Sequence, residues 1–255
     1  MTRTIDLNSD LGESFGAWSM GDDAAMLALV TSANIACGGH ASDPKTMFET
    51  LQMAAKNGVT VGAHPGYNDR EGFGRRVIPM APDDIGYMVA AQVGALLAVA
   101  DMVPVPVAYV KPHGALANLA AADADVARAI ARAIKALRAD LSVLAISGTV
   151  FEQVARAEGL DVYSEIFADR TYQSSGQLVP RSHPDAVIHD AEHAAQRLLE
   201  MLDTGLMPVI DGDPIALAAQ SICVHGDHPA AVETARQIRA RLTGAGVPLA
   251  PFIGG

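Results

Sequence analysis

The stretch IDLNSDLGESFG, residues 5–16, decides the fold because polar and apolar side chains alternate along its first half. Successive side chains of a β-strand point to opposite sides, so Asp6, Asn8 and Asp10 share one face. The apolar residues of the opposite face are Ile5, Leu7 and Leu11. This pattern predicts a strand whose acidic face interacts with other groups in the folded protein.

The spacing Asp6-x-Asn8-x-Asp10 resembles the first half of a calcium-binding EF-hand loop. That loop requires glycine at its sixth position and glutamate at its twelfth, and here those positions hold Leu11 and Ala17. The EF-hand interpretation therefore fails. Carboxylates directed into the mouth of a barrel, from the C-terminal end of a strand, are the better interpretation.

Length and composition favour one domain over residues 1–255, a size common among (β/α) barrels. Hydrophobic residues make up 50% of the chain, which is enough for a sizeable core. The balance of 18 Lys and Arg against 29 Asp and Glu gives a net charge of −11. This charge argues against nucleic acid or an anionic membrane surface as a partner, and favours a small-molecule substrate.

The sequence offers no sign of export or of a membrane span. The N-terminal MTRTIDLNSD has no apolar segment, and the longest uncharged stretch, residues 85–100, contains Gln92 and two glycines. The two cysteines, Cys37 and Cys223, are too few for a disulfide framework. We therefore expect a cytoplasmic protein with reduced thiols.

Short apolar runs alternate with helical patterns along the chain, as in βα units around a parallel sheet. The predicted strands are centred on residues 5–11, 32–38, 60–65, 106–114, 142–148, 161–170 and 221–227. The predicted helices lie near residues 43–57, 83–103, 123–139, 149–158, 185–203 and 229–242, with a hairpin at MPVIDGDPIAL. The fold class is therefore α/β, with seven strands suited to a barrel.

Polar residues gather near the C-terminal ends of these strands. They are Asn8, Asp10, Asn34, His40, His64, Lys111, His113, Glu165, Asp169, Arg170, His225 and Asp227. In a (β/α) barrel those ends form one face, on which the βα loops build the active site. Strand ends that were merely polar would carry serine, threonine and glycine more than histidine and lysine, so the pattern favours an enzyme.

Two histidines and one carboxylate at these ends suggest a divalent metal site. His64 and His113 each follow a β-rich run, and imidazole together with the Asp10 carboxylate is a suitable ligand set. Lys111 has two interpretations: an ammonium with a depressed pKa, or an ion-pair partner of Glu165. The sequence does not decide between them.

A second possible zinc motif, His189-Asp190-Ala191-Glu192-His193, matches the H-x-x-E-H pattern of one peptidase class. On a helix His189, His193 and Arg197 would form one polar stripe, and the helices of a barrel turn such stripes outward to solvent. A solvated helix face is the better interpretation.

Arginines supply the anion-binding candidates, because their planar guanidinium groups match carboxylates and phosphates. The segment NDREGFGRR contributes Arg70, Arg75 and Arg76, and Arg170 and Arg181 follow later. For the first three, pairing with Asp69 and Glu71 in a surface loop is a serious alternative.

Seven motifs together resemble the LamB/YcsF family. They are DLNSDLGESFG, SANIACGGHASDP, GAHPGYNDREGFGRR, VKPHGAL, EIFADRTY, LVPRS and ICVHGD, in this order from Asp6 to Asp227. The resemblance implies a seven-stranded, distorted TIM-like barrel similar to the glycoside hydrolase/deacetylase superfamily. It also implies that the chain acts as the A subunit of a 5-oxoprolinase. Such an enzyme hydrolyses 5-oxo-L-proline to L-glutamate with ATP, and it includes separate B and C subunits.

The implied chemistry is phosphorylation of the amide oxygen by ATP, then water attack and loss of phosphate. It assigns catalysis to Asp10, His64, Lys111, His113 and Glu165, with Asp10, His64 and His113 as base or metal site by analogy with sugar deacetylases. Lys111 is assigned as acid or oxyanion partner, and Arg170 or Arg181 as anion anchor. The substrate-binding candidates are Asn8, Asn34, His40, Arg170, Arg181, His225 and Asp227.

Two other functions stay open. One is a stand-alone metal-dependent hydrolase of N-acyl groups, and the other is a non-catalytic subunit that presents 5-oxoproline to its partners. The ATP site could lie on this chain, on a partner, or between them. The C-terminal segment TGAGVPLAPFIGG is expected to fold back on the barrel as a strand.

Overall fold

The computed structural model describes residues 4–225 and 231–253. Seven parallel strands close a barrel, and the last of them pairs with both the sixth and the first. In barrel order they are β1 (Asp6–Leu11), β2 (Ser32–Ala36), β3 (Thr60–His64), β4 (Val107–Val110), β5 (Ser142–Ile146), β6 (Val162–Phe167) and β9 (Ser221–Cys223). The predicted seven-stranded α/β barrel is confirmed.

Helices surround the barrel. They are α1 (Asp23–Leu27), α2 (Pro44–Asn57), α3 (Pro82–Ala100), α4 (Gly114–Ala120), α5 (Ala124–Leu137), α6 (Val150–Ala157), α7 (Ala191–Thr204) and α8 (Ala231–Gly244). The start of α2 follows the sequence signals, because the Asp43 carboxylate accepts hydrogen bonds from the backbone N–H of Lys45 and Thr46. Helices α1 and α4 were not predicted, since five and seven residues are too few to show a helical period.

The two faces of β1 have the environments that their side chains require. Leu7 and Leu11 are buried in the core between barrel and helices. Asn8 and Asp10 point into the barrel, where they hydrogen-bond to Glu165 and Lys111 from distant strands. The acidic face of β1 therefore belongs to a polar barrel interior.

The smaller predictions have mixed outcomes. The hairpin is confirmed as β7 (Leu206–Met207) paired antiparallel with β8 (Ile215–Ala216). The C-terminal segment does fold back, because Ala250 donates its N–H to the Ile5 carbonyl at 3.1 Å, although it forms an isolated bridge and no full strand. The Phe252 ring then packs 4.9 Å from that of Tyr109, measured between centroids.

The prediction for α7 was wrong in two respects. The helix begins at Ala191, with Asp190 as its N-cap, so His189 precedes it and the H-x-x-E-H residues do not share a helical face. Arg197 is buried and donates to the carbonyls of Phe167 and Arg170, each at 2.8 Å. These buried carbonyls lie at and beyond the end of β6 and need donors, which is why an arginine faces inward here.

Helix α3 is, by length and composition, the one described helix that could cross a membrane. Its inner side packs against the barrel, where the buried Gln92 side chain donates to the Gly66 carbonyl at 2.7 Å. Core helices of globular proteins pass the same test of length and composition.

Asp6 lies deep in the barrel and predicts a pH-dependent stability. Its carboxylate accepts hydrogen bonds from Thr31 and Ser32, each at 2.6 Å, and from Ser221. Burial outweighs these hydrogen bonds and raises the pKa of Asp6 from 3.8 to about 6. Between those two pH values the folded chain binds more protons than the unfolded chain, so stability falls as pH rises through about 6.

We expect the free energy of unfolding of the natural chain to fall by about 2.5 kcal/mol relative to Asp6→Asn between pH 4 and pH 7.5. Urea unfolding at a series of pH values measures the difference. Asp203→Asn, at an exposed position on α7, is the matched control and should follow the natural chain. Parallel curves for Asp6→Asn and Asp203→Asn would contradict the prediction.

Candidate functional site

A cavity of about 430 Å³ opens at the C-terminal ends of the barrel strands. Eight of the predicted site residues line it: Asp10, His64, Lys111, His113, Glu165, Arg170, Arg181 and His225. Asn8, Asn34 and His40 are buried nearby and do not line it, and Asp227 lies outside the described residues. Parallel strands thus bring most of the predicted residues to one place.

Lys111 is the central cation of this site. Its ammonium lies 2.9 Å from Asp10 Oδ1, 2.9 Å from Glu165 Oε1 and 3.2 Å from Cys223 Sγ, so its three N–H groups all have acceptors. Burial alone would lower the pKa of Lys111, but the two carboxylates outweigh it and hold the pKa well above its ordinary value. The depressed-pKa interpretation is therefore wrong, and the ion pair with Glu165 is present and extends to Asp10.

Asn8 and Asn34 hold the carboxylates of Asp10 and Glu165 in position by hydrogen bonds. Asn34 donates to Asp10 Oδ1 at 2.8 Å and to Asn8 Oδ1 at 2.7 Å, and Asn8 donates to Glu165 Oε1 at 2.9 Å. The Tyr109 hydroxyl in turn donates to Asn34 Oδ1 at 2.6 Å. These amides hold Asp10 and Glu165 in position beneath the cavity wall.

Asp10 and Glu165 differ in proton affinity although both contact Lys111. Burial raises the pKa of Asp10, yet His64 and Lys111 outweigh it and hold the pKa well below its ordinary value. For Glu165 burial prevails over Lys111, and the pKa is raised. Glu165 Oε2 is also buried without a hydrogen-bond partner among the described residues. Asp10 is thus a lasting anion, and Glu165 is suited to carry a proton.

His64 and His113 face each other with ring nitrogens that carry no proton. His64 Nδ1 lies 2.7 Å from the Lys111 carbonyl and His113 Nε2 lies 2.8 Å from the Phe73 carbonyl, so both outer nitrogens carry the proton. The inner nitrogens, 3.0 Å apart, are then both acceptors, and Asp10 Oδ2 approaches His64 Nε2 to 3.3 Å. Acceptors at such distances require a shared proton or a cation between them.

Glu13 and His40 complete this cluster of acceptors. Glu13 Oε1 lies 3.1 Å from His40 Nε2 and 3.8 Å from His113 Nδ1. The ligand atoms of Glu13, His40, His64 and His113 all lie within 4.8 Å of one another. Glu13 was not among the predicted site residues, although its carboxylate follows Asp10 by three residues in the same strand-end motif.

The His40 ring stacks on that of His113, with centroids 3.6 Å apart and planes inclined by 2°. Burial, followed by the neighbouring histidines, lowers the pKa of His40 well below its ordinary value. For His113 burial, followed by His64, lowers the pKa to about 3. Each of these two rings therefore accepts a second proton poorly.

The loop GAHPGYNDREGFG folds tightly enough to hold the imidazoles in place. A Cβ at Gly74 would lie 2.7 Å from His40 Cβ, and the φ of Gly74 is +60°. The preceding Phe73 also has a positive φ, 54°, and it is the Phe73 carbonyl that orients His113. Such backbone strain in a non-glycine residue is typical of functional sites.

The three arginines of the segment NDREGFGRR have two different roles. Arg76 pairs with Asp69, and Arg70 donates to the Gly38 carbonyl at 3.0 Å while its guanidinium covers the Phe15 ring. These two arginines stabilise the loop. Arg75 alone of the three lines the cavity.

Arg170 and Arg181 also have different roles. Arg170 is buried and donates to the carbonyls of Val179 at 2.6 Å and Ala186 at 3.2 Å, so it secures the loop beyond β6. Burial lowers the pKa of Arg170 to about 10. Arg181 is exposed at the cavity rim, with Nη2 at 3.1 Å from His225 Nε2. Of the two predicted anion anchors, Arg181 is the better placed.

Asp169 is a site residue for which no role was predicted from the sequence. Both of its carboxylate oxygens lie 2.7 Å from His225 Nδ1. The His225 ring also stacks on Phe167. The signal for this pair was present in the sequence, because both residues follow strands that are neighbours in the barrel.

Comparison with known proteins gives consistent results. The chain matches the LamB/YcsF family over residues 5–254. A relative from Pseudomonas syringae pv. tomato, named as a 5-oxoprolinase A subunit, is 52% identical over 252 residues, which cover 99% of this chain and 98% of the relative. The 5-oxoprolinase A subunit of Gluconobacter oxydans is 49% identical over 245 residues, or 96% of each chain.

The fold has a close counterpart among solved structures. The crystal structure of the lactam utilization protein from Thermus thermophilus has a TM-score of 0.91 and 44% sequence identity to this chain. The match covers 97% of this chain and 99% of that one.

Proposed function

The chain belongs to the LamB/YcsF family, and on that premise we propose that it acts as the A subunit of a 5-oxoprolinase. In this role it would hydrolyse 5-oxo-L-proline to L-glutamate, coupled to ATP hydrolysis, with B and C subunits as partners. The names of its full-length relatives support the assignment. The observation that carries it is the cavity, in which Asp10 and Glu165 both lie 2.9 Å from the Lys111 ammonium, while the pKa is lowered for Asp10 and raised for Glu165.

The reaction needs chemical activation because amide resonance protects the ring carbon of a lactam. Transfer of the γ-phosphoryl group to the lactam oxygen releases ADP and makes that carbon electrophilic. Water then adds to the carbon, and the ring nitrogen leaves with a proton to give an acyl phosphate. A second water replaces the phosphate and yields glutamate, so two waters must each lose a proton.

The described residues can supply the acid and the base. Asp10, kept ionised, would accept a proton from the first water, and Glu165, with its raised pKa, would protonate the departing nitrogen. Lys111 has no N–H to spare for an oxyanion, so its part is to hold these two carboxylates. Arg181 at the rim would bind the substrate carboxylate.

A divalent metal ion fits the acceptor cluster. His64 and His113 each donate the outer N–H to a backbone carbonyl, as metal-binding histidines commonly do. Their inner nitrogens, with Asp10 or Glu13, would hold the ion, and His40 would orient the Glu13 carboxylate. When bound, the ion would supply Lewis-acid polarisation.

We expect the chain, after chelator treatment, to bind one zinc or manganese ion in calorimetric titration. His113→Gln should weaken this binding by at least about 100-fold, because even indirect partners of metal ligands contribute 10- to 100-fold. His193→Gln, at an exposed position on α7, is the matched control. Equal binding by both variants would remove the metal from the proposal.

The same cluster favours a second candidate function, a stand-alone metal-dependent hydrolase of N-acyl groups. Acyl release by the purified chain without ATP, abolished by a chelator, would select it.

The test of the proposal is glutamate release from 5-oxo-L-proline and ATP. Three samples are compared: this chain by itself, the B and C subunits without it, and all three together. We expect glutamate only from the complete mixture. Folded proteins that release none when combined would overturn the proposal.

A further inference from the structure

The contacts of His225 allow only one tautomer. A guanidinium group can only donate, so His225 Nε2, 3.1 Å from Arg181 Nη2, must be an acceptor. The ionised Asp169 carboxylate can only accept, so His225 Nδ1, at 2.7 Å, must carry the proton. Both contacts are satisfied by the same neutral ring, with its bare nitrogen covered by Arg181.

Asp169 is an ionised partner in this arrangement. Burial raises its pKa, but His225 outweighs the effect and the pKa is lowered. The side chains of His225 and Asp169 are only 10% and 12% exposed, so solvent screens their interaction weakly. A carboxylate that holds one imidazole nitrogen makes the other nitrogen an oriented proton acceptor.

This arrangement is separate from the acceptor cluster around His64. His225 and Arg181 both line the cavity, and neither contributes a ligand atom to the group of Glu13, His40, His64 and His113. The proposed reaction uses two waters, and Asp10 can serve only one of them at a time. A second base would activate the second water before Asp10 has lost its proton, and His225 is a cavity residue oriented to act as one.

We propose that His225, oriented by Asp169, accepts the proton of the second water, and that the carboxylate of the ligand uncovers it by binding Arg181. The hydrogen bond between Arg181 and neutral His225 is weaker than a charge-assisted pair of hydrogen bonds to a carboxylate. A small carboxylate at the rim would therefore draw Arg181 from His225 Nε2. The identity of this ligand as 5-oxo-L-proline rests on the proposed function.

In the step itself, the oxygen of the second water forms a bond to the acyl carbon. Its proton moves to His225 Nε2, and the bond from the acyl carbon to the phosphate oxygen breaks, releasing phosphate. Without His225 the acyl phosphate would persist long enough for the amine to attack it and close the lactam again. ATP would then be consumed without glutamate.

Nitrogen NMR of the ¹⁵N-histidine-labelled chain determines the tautomer of His225 and needs no activity assay. Loss of a signal in His225→Gln assigns the residue. We expect a protonated Nδ1 and a bare Nε2 in the free chain, and a shift of Nε2 when 5-oxo-L-proline is added. Arg181→Met should show the shifted position with no ligand, whereas Arg76→Met, whose arginine pairs with Asp69 away from the cavity, should not. A protonated Nε2 in the free chain would overturn the proposal.

The coupling ratio in the reconstituted complex tests the step. In His225→Gln we expect the ratio of ADP to glutamate to rise about tenfold or more, with acyl phosphate trapped as a hydroxamate by hydroxylamine. Asp169→Asn should raise the ratio as well, and Asp169→Glu should restore it in part. Equal loss of ADP and glutamate would reject the step. If the natural complex makes no glutamate at all, the proposed function fails, and the tautomer result still decides whether the oriented base exists.

Discussion

Replacing Lys111 by methionine lowers the free energy of unfolding by about 4 kcal/mol, because it leaves two buried carboxylates without their cation. The ammonium contacts Asp10 and Glu165, each at 2.9 Å, and all three side chains are largely withdrawn from solvent. Methionine keeps most of the length and apolar volume of lysine, so the loss reports the charge. Urea unfolding followed by circular dichroism at pH 7.5 measures it.

Lys45→Met is the matched control for this prediction. Lys45 also pairs with a carboxylate, at 3.7 Å from Glu49, but both side chains are exposed, so the change should alter stability by less than about 0.5 kcal/mol. At pH 4 the deficit of Lys111→Met should shrink, because protonation then removes the unpaired charges. Equal stability of the two variants at pH 7.5 would contradict the ion-pair network.

The fold was predictable because alternation within strands and alternation of strands with helices are local signals. The acidic face of β1 indicated a polar environment, and the barrel interior provides it. The start of α7 was not predictable from periodicity, because the residues before it, including His189, continue a helical polar pattern while Asp190 caps the helix. The cap formed by Asp190, and not the polar periodicity, sets the first residue of the helix.

The site was predictable as a location but not as a set of contacts. Strand ends converge in any parallel barrel, so Asp10, His64 and Lys111 could be grouped from sequence alone. Which of their neighbours reach the cavity depends on pairs far apart in the chain, such as Lys111 with Asp10, 101 residues away. The pKa of Lys111 depends on two such pairs at once, and its direction could not be inferred without them.

Position at a strand end also did not separate binding residues from supporting ones. Asn34 has the sequence context of a ligand-binding residue, yet its amide is occupied by Asn8 and Asp10. Glu13, beyond the strand and without a periodic signal, reaches the histidines through the loop geometry. The polarity of a side chain is local information, whereas its partners are not.

Asp10→Asn should reduce glutamate formation by the complex of this chain with its B and C subunits by about 1,000-fold, because the variant loses the base for the first water. An amide has nearly the shape of a carboxylate and can still accept from Lys111 and Asn34, which now contact Asp10 Oδ1 at 2.9 and 2.8 Å. The KM for 5-oxo-L-proline should therefore change only a few-fold, roughly, while kcat carries the loss.

Steady-state kinetics and a direct binding titration of 5-oxo-L-proline separate the possible roles of Asp10. Asp203→Asn, on the exposed face of α7, is the control and should retain full turnover. If Asp10→Asn weakened ligand binding in proportion to the lost turnover, Asp10 would be a ligand-binding group, and this chain would be a subunit that presents substrate. Binding preserved with turnover lost would place Asp10 in the chemical step and exclude a purely ligand-binding role, because only a group needed after binding can lower kcat alone.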